Sequence, residues 1–545
     1  MKTTKSAPKA KAAPAKATKP AKAAKAAPAK ATKPAAAKSA KAAKAAPAKA
    51  VKAAPAKAAK PAKAVKAASA KAAKPAKAVK PAKAVKAVKV AKAAPAKAAK
   101  VVKAKAAKPA KAAKTTRVSS GKPPVAKVSK AQIRQLAADA IVARDAIMKF
   151  WLDRCEDKQY GGFLTNFDDK GKDYGTPEKY LNTQCRFVWT FSALLRRGGG
   201  PEYKRLAKQG VDFMLKYMWD EKHGGFNWKC KRDGSKLDNG KIVYGESFAI
   251  YAFSEYYLAT KDPRGLEYAC KTFDLLQKYC ADTHYGGYRE YFNEDWTPET
   301  PGFGGGDRKT LDSHMHLMES FTVLYEASQQ EIHKRKLVEN IELIMDKMVD
   351  LKRGCGLNQF DLAWNSVPAL SLKRTWNAER FGEQPAEPTQ TTGYGHNTEL
   401  VWLLNRAIKT AKLDIKPYKA NMKRIMEHAI KNGIDWKYGG VYRDGLRSTG
   451  KPIVLEKEFW QNAEIMVGML DAYKTFGDED YLKAFVNVWD FNQKFMVIKG
   501  LGEWRTLTDR KGKILDGKIG NPWKVSYHTG RAAMEVADRL AELLK

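Results

Sequence analysis

The side chains best suited to chemistry are a few histidines, glutamates, tryptophans and an arginine spaced roughly 60 to 80 residues apart. They are Arg186, Glu246, His316, His396, Trp460 with Glu464, and His528. His396 and Glu399 are three residues apart, as are Glu399 and Trp402, so on a helix each pair shares a face. They lie in the Gly-rich TGYGHNTELVW stretch, inside an otherwise apolar segment. An imidazole one turn from a carboxylate in such a setting is a candidate acid–base pair. Trp460 and Glu464, four apart, also share a face. His314 and His316 are two apart, about 200° around a helix, so both cannot bind one metal; His316 is assigned to the site and His314 to structure. The order His-x-x-Glu reverses the Glu-x-x-His of di-iron bundles, and no metal site is expected. The GFGGG run at 302–306 has no strand before it and no Lys-Ser/Thr after it. It reads as a flexible loop over the mouth of the site.

The elements that position these residues repeat. An aromatic-glycine signature recurs as YGGF (160–163), HGGF (223–226), YGGY (285–288) and YGGV (438–441), with weaker forms at 355–357 and 500–502. Helical periodicity flanks each one. It predicts helix pairs over 131–155 and 178–197, 201–219 and 241–260, 263–281 and 309–328, 330–352 and 393–412, 416–432 and 455–476, and 479–498 and 523–544. Six helical hairpins that each need a neighbour can close into a ring with inner and outer layers. The expected fold is all-α, an (α/α)6 barrel over 131–545; an open solenoid is the alternative. The polar positions fall at the starts of the second helices, so they gather at one end of the ring, where a binding site is expected.

The rest of the chain is a different polymer. Residues 1–130 carry 38 of the 101 Lys+Arg and no Asp or Glu, whereas 131–545 hold 63 basic and 57 acidic residues, a net of +6. All 55 aromatic residues lie at or after Phe150. An Ala/Lys/Pro segment without large apolar side chains cannot offset its chain entropy, and a disordered polycationic tail is expected. Its composition resembles the tails of linker histones. Sequence-independent binding to nucleic acid or another polyanion is one reading, and a solubilising spacer is the other. No secretory signal, transit peptide or membrane span is expected. Six scattered cysteines without close pairing suggest a reducing compartment. The expected location is cytoplasmic, with nucleoid association through the tail.

Six ordered stretches resemble the N-acylglucosamine 2-epimerase superfamily, especially its cellobiose and mannose 2-epimerase/isomerase-like members. They are TQCRFVWTFS (183–192), YGESFAIYAFSEYY (244–257), SHMHLMES (313–320), GYGHNTELVWLL (393–404), EFWQNAE (458–464) and PWKVSYHTGR (522–531). The resemblance implies an (α/α)6 barrel and cofactor-free epimerisation or isomerisation of a free sugar at C2. It implies that His396 and His528 are the acid/base histidines. Arg186, Glu246, His316, Glu399, Trp402, Trp460, Glu464 and Trp523 would contact or support the substrate. Glu246 stands where Gln is expected in many relatives, and Asn182 where some mannose-active relatives carry Trp. An inverting glycoside hydrolase, with Glu399 and Glu464 as its carboxyl pair, and a non-catalytic sugar-binding ring are the competing readings.

Overall fold

Turn chemistry divides the chain cleanly. Gly200-Pro201, Asp262-Pro263, and Gly477 followed by Asp478 each stop one helix and start the next. Proline at the first helical position and an aspartate cap satisfy the new helix end. A computed structural model describes residues 127–384 and 390–545. The expected disordered tail, and the polyanion contact assigned to it, lie almost entirely outside the described residues. Among the described residues there are thirteen α-helices: α1 (Lys130–Arg154), α2 (Leu181–Arg196), α3 (Pro201–Tyr217), α4 (Val243–Thr260), α5 (Pro263–Leu275), α6 (Leu311–Ser328), α7 (Glu331–Leu343), α8 (Trp376–Phe381), α9 (Tyr394–Ala411), α10 (Lys416–His428), α11 (Phe459–Phe476), α12 (Glu479–Phe491) and α13 (Ser526–Leu544). The twelve longer helices match the expected ones; the short α8 sits in the long connection before α9 and has no counterpart in the sequence reading.

The inner helices close a ring: α2 packs on α4, α4 on α6, α6 on α9, α9 on α11, α11 on α13, and α13 returns to α2. They are buried along most of their length, as helices packed on all sides must be. The outer helices α3, α5, α7, α10 and α12 each pack on the inner helix that precedes them, and α1 packs on α13. The sequence reading paired helices across the long loops instead. Two- to four-residue turns force antiparallel neighbours, so the tight hairpins run inner to outer. The first helix is left to seal the ring against the last.

The chain entering five inner helices forms a short strand that pairs antiparallel with the following loop. The pairs are 178–180 with 229–231, 241–242 with 291–292, 308–310 with 359–361, 391–393 with 444–446, and 457–458 with 507–508. A bridge between Phe167 and Gly520 completes the belt. The signature glycines are there for conformation: Gly161 and Gly162 have φ of 80° and 64°, and a Cβ on Gly162 would lie 2.8 Å from the Gln184 side chain. Only glycine adopts that backbone cheaply. The GFGGG run forms a turn at Gly302–Gly304, and the Phe303 carbonyl accepts the Lys373 N–H. No helix among the described residues is long and apolar enough to cross a membrane.

Candidate active site

Register within the inner helices decides what each side chain does. The fourth residue of five of them turns back toward its signature loop. Gln184, Glu246, His314, Asn397 and Asn462 accept the backbone N–H of Phe163, Phe226, Tyr288, Gly356 and Val441 at 2.8–3.2 Å. The sixth residue lies about 200° away and faces the ring interior: Arg186, Phe248, His316, Glu399, Glu464 and Arg531. Glu246 is therefore corrected from a substrate-binding residue to a loop anchor, and Phe248 holds the inward position of α4. Burial pushes the Glu246 carboxyl up to about 8, against the pull of Lys241. It stays protonated at neutral pH and stands in for the amides of its counterparts. His314 takes the structural place assigned to it.

At the loop end of the ring lies a cavity of about 500 Å³ whose wall includes Arg186, His316, His396, Glu399, Trp460, Trp523 and His528. Trp402 and Glu464 do not reach it and sit beneath its floor. Arg186 donates to the Trp523 carbonyl and the Tyr244 hydroxyl, both at 2.8 Å, and lies over the Phe248 and Tyr527 rings. Asp312 stands between two histidines, its Oδ1 at 3.4 Å from His316 Nε2 and 3.5 Å from His396 Nε2. The Trp460 indole contacts both His396 and His528, with ring centroids 4.6 and 5.9 Å away.

Below the cavity the buried Arg531 gathers three carboxylates from three helices. It donates to Glu319 through Nη1, and Nη2 reaches Glu399 at 2.6 Å and Glu464 at 2.8 Å. Trp402 Nε1 also donates to Glu464, at 3.2 Å. The opposite Glu464 oxygen lies 2.7 Å from His528 Nδ1. Burial and two nearby cations, Arg186 and Arg531, push the His528 pKa well down, so its imidazole is neutral. On His316 burial acts the same way, but the hydrogen bonds to Asp312 and Glu319 outweigh it and raise the group to about 10. Burial resists ionisation of Asp312, yet His316 and His396 hold it down at about 2. At neutral pH the site thus contains one neutral buried imidazole and one charged one.

Four members were missing from the sequence reading: Asp312, Glu319, Arg531 and Tyr244. Two carried a readable signal. Glu319 follows His316 by three residues, as Glu399 follows His396, and Arg531 follows His528 by three. Glu399, Glu464 and His528 bring ligand-type atoms within 4.8 Å of one another. Because Arg531 already binds both carboxylates, a metal ion there would face a guanidinium, and the donor set does not fit one.

The model of the N-acylglucosamine 2-epimerase (GlcNAc 2-epimerase) family matches residues 161–532. The chain belongs to this family. The cellobiose 2-epimerase of Bacteroides fragilis is 28% identical over 402 residues, covering 72% of this chain and 95% of that protein. The D-mannose isomerase of Marinomonas mediterranea is 26% identical over 400 residues, covering 72% and 95%. The solved structure of cellobiose 2-epimerase from Spirochaeta thermophila superposes with a TM-score of 0.67 at 26% identity, covering 76% of this chain and 99% of that one. In this N-acylglucosamine 2-epimerase family member, Asn182 is fully buried and forms no part of the cavity wall.

Proposed function

We propose that the protein inverts or isomerises a free reducing sugar at C2, using His396 and His528 as the proton-transfer pair. The observation that carries this reading is the state of His528. Arg531 and Trp402 both donate to Glu464, so Glu464 meets His528 Nδ1 as an acceptor. That fixes the N–H on Nδ1 and leaves Nε2 a lone pair, the form a general base needs. In the proposed reaction one histidine removes the C2 proton and the bonding electrons pass to the C1 oxygen as an enediolate. The other histidine returns a proton to C2 from the opposite face, giving the epimer; a proton returned to C1 gives the ketose. Arg186 and the charged His316 supply fixed positive charge for the enediolate oxygens, a role in which one donor contributes about 3–4 kcal/mol. The exposed faces of Trp460 and Trp523 suit the apolar face of a sugar ring.

The carboxyl geometry favours this reading over hydrolysis. Inverting hydrolysis needs carboxyls about 6.5–9.5 Å apart. Glu399 and Glu464 share one guanidinium nitrogen and have oxygens within 4.8 Å of each other. Proton NMR in deuterated water with mannose, glucose, cellobiose and N-acetylglucosamine tests the proposal. Interconversion of free sugars with deuterium entering C2 is expected; glycosidic cleavage without C2 exchange would refute it.

The proposal extends to residues 1–130 as a separate polycationic segment. With 38 positive charges and no aromatic residue, this segment can neutralise phosphates but cannot stack on bases. It would tether the ring to DNA or another polyanion in a nucleoid-type setting. Deleting it should abolish salt-sensitive, sequence-independent DNA binding and leave sugar turnover unchanged. DNA binding that survives the deletion would refute the tether.

A further inference from the structure

The six modules obey two local rules, and both fail in one place. The first concerns the residue thirteen positions before the one that closes each signature's β-bridge, namely Phe163, Phe226, Tyr288, Gly356, Val441 and Trp504. It is Phe150, Phe213, Leu275, Leu343 and Phe491 in five modules but His428 in the other. These side chains pack on neighbouring loops; Phe213, for example, lies on Gly162 and Leu275 on Gly224. His428 is only 8% exposed, its ring stacks on Tyr394 at 6.0 Å, and neither ring nitrogen has a hydrogen-bond partner. A buried imidazole with two unpaired nitrogens is costly, and the other modules show that an apolar residue serves the packing. Burial, reinforced by Lys431, lowers the ring to about 4 and keeps it neutral.

The second rule concerns the residue two before each inner helix. It is a fully buried lysine in five modules (Lys179, Lys241, Lys309, Lys457 and Lys524) but Thr392 before α9. Without that lysine, Asp350 is held from the rim by Arg353 at 2.8 Å and Arg447 at 3.2 Å. The first departure, and the two arginines that hold Asp350 in place of the missing lysine, line a second cavity of about 290 Å³, where His428 lies among Arg353, Arg424, Lys431 and Arg447. Glu427 on the wall and Asp350 beside it are the opposing charges, which leaves the cluster net positive by two.

We propose that this cavity binds a phosphate group. Guanidinium groups match phosphate oxygens in paired hydrogen bonds. A neutral imidazole can accept the P–OH proton that a phosphate monoester, with a second pKa of about 6, or inorganic phosphate still partly carries near neutral pH. Sulfate offers no such proton, so phosphate is the preferred anion. The site is separate from the sugar cavity: none of its residues lines that cavity.

The test is imidazole 15N–1H NMR of the full-length chain titrated with inorganic phosphate at constant ionic strength, which holds the contribution of the basic tail fixed. The His428 signal is expected to move saturably with phosphate, and less with sulfate. His428→Leu installs the residue type used by the other modules and should remove the saturable stabilisation that phosphate adds to thermal unfolding. The exposed pair Arg424→Ala/Lys431→Ala should weaken phosphate about tenfold or more while His428 stays in place. A His428 signal indifferent to phosphate, a sulfate response equal to that of phosphate, or unchanged phosphate affinity in the double variant would overturn the site.

Discussion

The ring buries charge in two regions, and the two do so differently. At the belt, Lys179, Lys241, Lys309 and Lys457 each meet one aspartate, Asp157, Asp220, Asp282 and Asp435, at 2.8–3.2 Å, and Lys524 meets Glu503 at 3.4 Å. Each carboxylate has at least one cation of its own, with Arg232 added at Asp157 and Arg510 at Asp435, and the four aspartates also accept two backbone N–H groups, as from His284 and Tyr285 at Asp282. Under the cavity, Arg531 faces Glu319, Glu399 and Glu464, and Asp312 lies between two histidines. That region is unbalanced and unrepeated. Burial pushes Glu399 and Glu464 upward, helped by Glu464 at the first and by Glu319 at the second, while His316 and His528 shift in opposite directions. Repetition marks scaffold; departure from the repeat marks chemistry.

The contrast can be broken most forcefully at Arg531. Arg531→Met leaves three buried carboxylates without their shared cation and should cost about 3–5 kcal/mol in chemical denaturation, with loss of turnover. Lys309→Met removes one belt cation, but Asp282 keeps its two backbone donors. About 2–3 kcal/mol of stability should be lost, with turnover per folded molecule unchanged. Equal damage to turnover from both variants would erase the distinction.

Smaller effects sharpen it. His316 is raised to about 10, so its positive charge is present below that pH and lost above it. The kcat/KM profile should therefore fall on the alkaline side near 10. Asp312→Asn removes one of the groups that raise it and should move that limb down by about 1–2 pH units. The effect at Glu246 is confined to stability and its pH dependence. Its folded pKa of about 8 lies above the ordinary value, so wild-type stability declines as pH rises from about 5 to 8, where only the unfolded chain ionises. Glu246→Gln should flatten that decline, seen in melting temperature against pH, and leave turnover unaltered.

Much of this was legible in the sequence because repetition amplifies weak signals. Six glycine signatures with helical flanks are enough to specify twelve helices and a ring. Pairing was misjudged, since a long loop and a short turn look alike until packing chooses between them. Glu246 was misplaced because a spacing of 60 to 80 residues locates a helix start but not the face; a two-residue offset separates loop anchor from cavity wall. The three-residue spacing puts Glu319 beside His316 on one helix, but the meeting of Arg531 with Glu319, Glu399 and Glu464 spans four helices, a convergence that spacing along one helix does not reveal. The short α8 is held in a connection shaped by tertiary contacts, such as Arg374 with Asp238 and Glu299, without a periodic pattern of its own.

The central claim is that two histidines divide one proton transfer. Its most direct test follows deuterium entry at C2 in His396→Ala and His528→Ala, starting separately from each of the two epimers the wild-type enzyme interconverts. Each variant should lose interconversion, by the roughly 10²–10⁴-fold that one acid–base group contributes. Exchange at C2 should persist from only one epimer, and that epimer should switch between the two variants. Exchange from both epimers in either variant, or interconversion at near wild-type rate, would contradict the two-histidine account.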